Sequence, residues 1–534
     1  MTLQPLVFYA SLFILSALVL KAIKHSRRLP PSPWALPIVG HLHLLGPSLH
    51  HSFHKLSTRY GPLMSVRIGS VLGVVTSCPD VTKELLKTND VTFTGRQSSA
   101  AIECLTYNSS FAFAPYGPYW QFMKKLTAVE LLGSRTLHQF LPIRTNELRE
   151  LIRFLFEKSK SGQSVNITDE LLRFANNIIS QMMLNIRCSG KGGQAEECRT
   201  LAREVTEIFG EFNISDIIWI FKSFDIQGFN RRFKDIHRRY DSQLENIITN
   251  REKLRKEKKE SEEKVKDLLD ILLDVLENQN SEIKLTRDHV KALCVFESQG
   301  SRLCWENLCL PVRAGTSSLG CGTGLKDFLT AGTDTSSTSL EWSLAELINH
   351  PMVLQEAQQE IDQVVGRNRL VQESDVPHLP YIQAIIKESF RIHPPIPLIS
   401  RKAVEDCKIG NYVIPKDTVL FVNLWSMGRD PKIWKNPLEF QPERFLSESN
   451  SEIDVKGLHY QFLPFGTGRR GCPGLSLAMQ ELPATLAAMI QCFNFKVTSP
   501  DGVVDMTERP GLASPRAQDL VCVPVARCAP SILN

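Results

Sequence analysis

The sequence predicts one large, helix-rich domain behind a single N-terminal membrane-spanning helix, and three observations carry that prediction. Leu6 to Leu20 runs LVFYASLFILSALVL without a charge and is followed by Lys21, Lys24, Arg27 and Arg28. No polar low-complexity linker and no internal repeat divides the 534 residues. The motifs that bear chemistry farther along recur at spacings of three and four, which place their members on shared helix faces.

Residues 1–24 form the predicted anchor and its basic flank. A span needs about 20 apolar residues, and no small-residue cleavage site precedes the basic cluster, so the segment is retained. The positive-inside bias leaves the basic flank and everything after it in the cytosol. Residues 25–40 hold Pro30-Pro31-Ser32-Pro33-Trp34-Ala35-Leu36-Pro37, whose fixed φ angles make a stiff, extended hinge. Residues 41–534 form the main domain. Its 13 cysteines, an odd number without framework spacing, suit reduced thiols in a cytosol-facing protein. A net charge of +5 is too small to argue for nucleic acid.

Four motifs carry the chemistry. Trp120 and Lys124 lie one helical turn apart. Ala331, Gly332, Asp334 and Thr335 belong to a helix on which Ala331 and Thr335 face the same way, beside small residues that leave a groove. Glu388 and Arg391 are three apart and share a face. The fourth is the loop Phe465-Gly466-Thr467-Gly468-Arg469-Arg470-Gly471-Cys472-Pro473-Gly474. Its four glycines permit turns closed to other residues and a close approach to a flat group. Pro473 is placed to start a helix over Leu475-Ser476-Leu477-Ala478-Met479. Cys472 then sits at a helix N-terminus, where dipole and free N–H groups favour the thiolate that binds a metal.

The spacing Phe465, Gly468, Arg470, Cys472, Gly474 resembles the haem-thiolate signature of the cytochrome P-450 superfamily. The resemblance implies a mainly α fold with small β-sheets, and residues 41–534 as a haem-thiolate catalytic domain. Haem b iron would take Cys472 as its axial ligand, with Arg470, Trp120, Lys124 and Arg401 directed at the propionates. Lys124 stands where arginine is more usual, so it keeps the charge but not the planar fork that grips a carboxylate at two points. Arg444 of Pro442-Glu443-Arg444-Phe445 would close a buried network with Glu388 and Arg391 that braces the Cys472 loop. Ala331 and Gly332 would leave room for dioxygen, Thr335 would hydrogen-bond it, and Asp334 would relay protons. Electrons would come from NADPH through a reductase docked near Lys124, Lys125 and Arg469. The implied location is the endoplasmic reticulum membrane, single-pass.

Long segments resemble plant flavone synthase II and flavanone 2-hydroxylase enzymes most closely, among them Glu207 to Phe212, Asp267 to Asp274, Phe421 to Arg429 and Glu508 to Leu512. That resemblance implies oxidation of flavanones to flavones, with 2-hydroxylation, or aryl migration as in 2-hydroxyisoflavanone synthase, as the alternatives. The implied pocket walls are Ala100 to Phe113, Ala331 and Thr335, Leu398 and Ile399, and Leu512 and Ala513. Relatives pass almost directly from a Lys291-Ala292-Leu293 equivalent to Asp327-Phe328, whereas Cys294 to Lys326 intervenes here. This insert carries five glycines and Pro311, which disfavour a helix interior. It reads as translated intron or an aberrant transcript, and makes an inactive haem-binding chain a further alternative.

Overall fold

The computed structural model describes residues 28–99, 103–104, 107, 109–187, 214–221, 225, 227–257, 266–278, 282–293, 329–448, 450–511 and 513–533. The expected anchor over 1–24 and the insert at 294–326 lie outside the described residues. Among the described residues, no helix is long and apolar enough to cross a membrane.

Helices dominate. They include α1 (Leu49–Tyr60), α2 (Pro118–Leu126), α3 (Leu141–Ser161), α4 (Ile167–Leu184), α5 (Phe229–Glu257) and α6 (Leu268–Glu277). They continue as α7 (Arg287–Leu293), α8 (Leu329–Asn349), α9 (Pro351–Val364), α10 (Pro380–Ile392), α11 (Leu424–Gly428) and α12 (Leu475–Cys492). Local chemistry sets several ends. Asn166 caps α4 by accepting from Asp169 N at 3.2 Å, and Asp267 caps α6 by accepting from Asp270 N at 2.9 Å. Gly162 ends α3 at φ 61°, a left-handed position that glycine takes without strain.

Among the described residues, nine strands make three small sheets. They are β1 (Leu63–Ile68), β2 (Val71–Thr76), β3 (Val165–Asn166), β4 (Leu398–Lys402), β5 (Cys407–Ile409), β6 (Tyr412–Ile414), β7 (Val419–Asn423), β8 (Phe493–Val497) and β9 (Val521–Ala526). The main sheet has the order β1-β2-β7-β4; β2 and β7 run parallel, the other two pairs antiparallel. The others are β3-β9-β8 and the hairpin β5-β6. The expected mainly α architecture with small sheets is the one observed.

The principal apolar core lies among α3, α4, α6, α8, α10 and α12. Helix α8 is enclosed over most of its length, from Ser336 to Leu347, and its closest packing is against α4. A Cβ on Gly332 would meet Ile179 Cδ1 at 2.8 Å, so this glycine is demanded by the α4–α8 contact. The packing thus gives a reason for a small residue here besides the expected groove for dioxygen. The proline-rich stretch does not stand clear of the body. Pro31 O accepts from Ser65 N at 2.8 Å, Pro30 O from Ser65 Oγ at 2.8 Å, and Pro33 O makes a 3.0 Å contact with His41 Nε2. It runs along the outer edge of β1.

Candidate active site

The Cys472 loop connects the body of the sheet region to α12. Gly466 and Gly468 both take φ +67°, and a Cβ on Gly468 would also meet Asp90 Oδ1 at 2.8 Å. Only these two of the four glycines need their conformational freedom. Gly471 (φ −59°) and Gly474 (φ −81°) have ordinary backbone. Pro473 is not the first helical residue: Gly474 is the cap and α12 begins at Leu475. Cys472 thus lies two residues ahead of the cap, and its sulfur accepts from the backbone N–H groups of Gly474 and Leu475.

These amides do not by themselves make a thiolate. Cys472 is solvent-accessible, yet protein crowds its sulfur, and that desolvation raises the thiol above its usual range. The two amides and the Lys124 charge pull in the other direction and offset it only in part. The helix-end amides act in the expected direction, and a metal cation held at the sulfur would supply the remaining stabilisation of the anion.

The loop is braced from beneath. Cys472 N donates to Phe465 O at 2.9 Å, and the Phe465 ring meets Phe390 of α10 edge-on, centroids 5.4 Å apart. On the same helix Glu388 is fully buried and accepts from Arg391 Nε and Nη2, both at 2.7 Å, from Arg444 Nε at 2.9 Å and from Gln441 N at 2.8 Å. Arg391 spends its other donors on the carbonyls of Gly428, Pro437 (2.7 Å) and Glu439 (3.1 Å). Arg444 bonds Lys435 O at 2.8 Å. The three residues singled out from the sequence meet in one closed network.

A second charged group is arranged differently. Arg470 lies 4.5 Å above the Trp120 ring, and Lys124 is 5.2 Å from the same ring. Lys124 Nζ donates to the carbonyl of Arg469. Arg470 donates to Thr94 O at 3.0 Å and Ala114 O at 2.6 Å, and Arg401 Nη2 donates to Arg470 O at 3.1 Å. Arg470 Nη1 is buried with no hydrogen-bond partner among the described residues. Burial, then repulsion from Arg96, pushes Arg470 down to about 9 and Arg401 well below the usual guanidinium range. Desolvation first, then Arg470, lowers Lys124 as well. Asp90 is the nearby carboxylate, and it is paired at 2.5 Å with the outer residue Arg469.

Buried cations that repel one another and leave a donor unmatched are the complement of a dianion. The two propionates of haem, beside a sulfur set to meet iron, satisfy that requirement. The residues present fit the group: Cys472 would ligate it, and Arg470, Arg401, Lys124 and Arg96 would receive its carboxylates.

Arg96 escapes a reading of the sequence because it stands in no spaced motif. Its place is set by tertiary pairing. Gly95 N donates to Lys402 O at 3.0 Å and Lys402 N to Gly95 O at 2.9 Å, while a Cβ on Gly95 would meet Lys402 O at 2.7 Å. That close approach brings Arg96 Nη1 to Ser400 O at 2.6 Å, beside Arg401.

In α8, Thr335 Oγ1 donates to Ala331 O, a bond within the helix that leaves its lone pairs to accept from a ligand or water. Ser339 Oγ bonds Thr335 O at 2.6 Å and Ser337 Oγ bonds Asp334 O at 3.1 Å. Thr333 Oγ1 is buried without a partner among the described residues. Of the expected pocket walls, Ala331, Thr335, Leu398, Ile399 and Ala513 are described, whereas Leu512 and part of Ala100 to Phe113 are not.

Comparison with known proteins agrees with this geometry. The sequence profile of the family described as Cytochrome P450 matches residues 30–296 and 323–523, leaving 297–322 outside the match. Cytochrome P450 93B16 of Glycine max is 52% identical over 543 residues, covering 98% of this chain and 97% of that protein. Cytochrome P450 93B2 of Gerbera hybrida is 53% identical over 524 residues, 98% of this chain and 96% of that one. A 2-hydroxyisoflavanone synthase of Glycyrrhiza echinata is 42% identical over 527 residues, 95% and 93%.

Proposed function

Because the chain belongs to the cytochrome P450 family, we propose that it is a haem-thiolate monooxygenase of plant flavonoid metabolism that converts flavanones to flavones. One observation carries the cofactor part of this reading: the cluster of Arg96, Lys124, Arg401 and Arg470, with its unmatched Nη1, beside Cys472. The substrate part is supported by the segments resembling flavone synthase II and by a relative at 42% identity named for 2-hydroxyisoflavanone synthesis.

Haem, when bound, supplies the activation of dioxygen with electrons from NADPH delivered by a reductase. The protein's own work is positional. Cys472 would offer its sulfur to the iron, held by the Gly474 and Leu475 amides and by the Phe465 link to α10. Thr335 Oγ1, already donating backward to Ala331 O, can accept a hydrogen bond and hold a proton at the site. Leu398 and Ile399 supply apolar wall suited to a flat, weakly polar substrate. The endoplasmic reticulum membrane and cytosolic orientation belong to the same proposal and rest on Leu6 to Leu20 and its basic flank.

The test is expression with and without 294–326, alongside a reductase, with a flavanone supplied. The shortened chain is expected to give a red-shifted carbon-monoxide band and a flavone. A shortened chain with intact haem and no flavonoid product overturns the substrate assignment, and a 2-hydroxyisoflavanone product replaces it with aryl migration. A full-length chain without the band supports the inactive alternative for this sequence.

A further inference from the structure

The haem side leaves unused a buried polar knot on the segment 505–517. That segment doubles back: Arg509 N donates to Pro515 O and Ala517 N to Thr507 O, both at 2.8 Å. At its tip a Cβ on Gly511 would meet Ala513 O at 2.7 Å. Glu508, on the first arm, is held from several elements. It contacts His50 Nε2 at 2.7 Å and His51 Nε2 at 3.1 Å from α1, and accepts from Trp425 Nε1 of α11 at 2.8 Å and from Ser514 Oγ at 3.2 Å.

Ser514 is the junction. Its carbonyl accepts from Trp342 Nε1 at 2.8 Å, on the helix that carries Thr335, and its N–H donates to Pro395 O at 3.0 Å, just ahead of β4. The expected pocket walls on α8, on β4 and at Ala513 are thus connected through one serine, and Glu508 grips that serine.

The ligand atoms of His50, His51 and Glu508 lie within 4.8 Å of one another, a spacing a metal ion can use. Two facts point away from a metal. The carboxylate is already taken by Trp425 and Ser514, and the Arg429 guanidinium, 3.8 Å from Oε1 and 4.0 Å above the Trp425 ring, opposes a second cation.

We infer that Glu508 is a positioning residue that, through Ser514, fixes Ala513 and Ser514 against α8 and the lead into β4, and so sets how a ligand is held beside α8. The inference rests on the haem reading and, for its substrate, on the flavanone reading. In the full-length or shortened holoenzyme, Glu508→Gln is expected to keep the red-shifted carbon-monoxide band. It should weaken the spin-state shift induced by a flavanone about tenfold. An imidazole bearing a bulky aryl group should bind about tenfold more weakly, with imidazole itself unaffected. Ser514→Ala, which keeps the backbone bonds, should move the same readouts in the same direction by less.

Unchanged flavanone and aryl-imidazole binding in Glu508→Gln overturns the proposal. So does loss of haem in Glu508→Gln combined with wild-type binding in Ser514→Ala. If the unmutated protein shows no flavanone shift while its aryl-imidazole affinity still responds to Glu508→Gln, the flavanone reading falls and the positioning role stands.

Discussion

Two clusters of buried charge within this molecule are built on opposite principles. Around Glu388 every partner is supplied by the chain: two guanidinium groups and a backbone amide converge on one carboxylate, and the remaining arginine donors end on carbonyls. Around Arg470 the described residues supply cations and carbonyls but direct no carboxylate inward, and among them one buried nitrogen finds no partner. A closed network resists rearrangement and therefore suits a brace, whereas an unbalanced one stores unfavourable electrostatic energy that an incoming anion relieves. The first arrangement suits a brace for the Cys472 loop, and the second suits an anionic group bound beside it.

The largest effect expected is loss of the centre itself. Cys472→Ser should abolish the red-shifted carbon-monoxide band and all product formation, read in the same difference spectrum; a retained band would sink the ligand assignment.

Breaking the closed network comes next. Glu388→Gln leaves Arg391 and Arg444 buried with diminished compensation and should destabilise the protein by about 3–5 kcal/mol. Thermal unfolding should show the drop whether or not haem is present, together with a lower yield of holoprotein.

Opening the unbalanced cluster should have the opposite signature. Arg470→Gln removes a cation that no inward-facing carboxylate among the described residues neutralises, so the haem-free protein should be no less stable than the parent. Haem retention should weaken by about 1–3 kcal/mol, the scale of a hydrogen bond to a charged group. Haem transfer to an acceptor apoprotein measures it, and equal destabilisation of both forms would erase the distinction between the clusters.

Glu481 in α12 shows a third solution. It is buried with Oε1 unpartnered among the described residues, and desolvation pushes its carboxyl up to about 8, with Arg144 opposing. The folded state therefore binds this proton more tightly than the unfolded chain, whose carboxyl titrates near the ordinary 4.5. The resulting stability is complete below the unfolded value and declines as pH rises toward about 8. Glu481→Gln should flatten the decline of the unfolding midpoint across that window; an unchanged slope would show that the group ionises freely.

Much of this is legible in the chain because the motifs are local. The Cys472 loop, the Glu388–Arg391 spacing, the Pro442 to Phe445 segment and the Trp120–Lys124 pair each declare themselves within a few residues, since helix periodicity and turn geometry act over that range. Those same rules do not reach what packing decides. The requirement for Gly332 comes from Ile179, which is far away in sequence. Gly474 takes ordinary backbone as the cap of α12, and Gly471 takes it as the residue closing the short turn Gly468–Arg470.

By itself, then, the sequence determined which residues could serve as iron ligand, brace and anion receptor, because these depend on side-chain chemistry and short-range spacing. Tertiary structure alone decided that Arg96 joins the cation cluster through the Gly95–Lys402 pairing, that burial outweighs the helix-end amides at Cys472, and that Glu508, His50 and Trp425 meet at one point. The physical reason is that desolvation and long-range strand or side-chain pairing exist only once distant segments have packed.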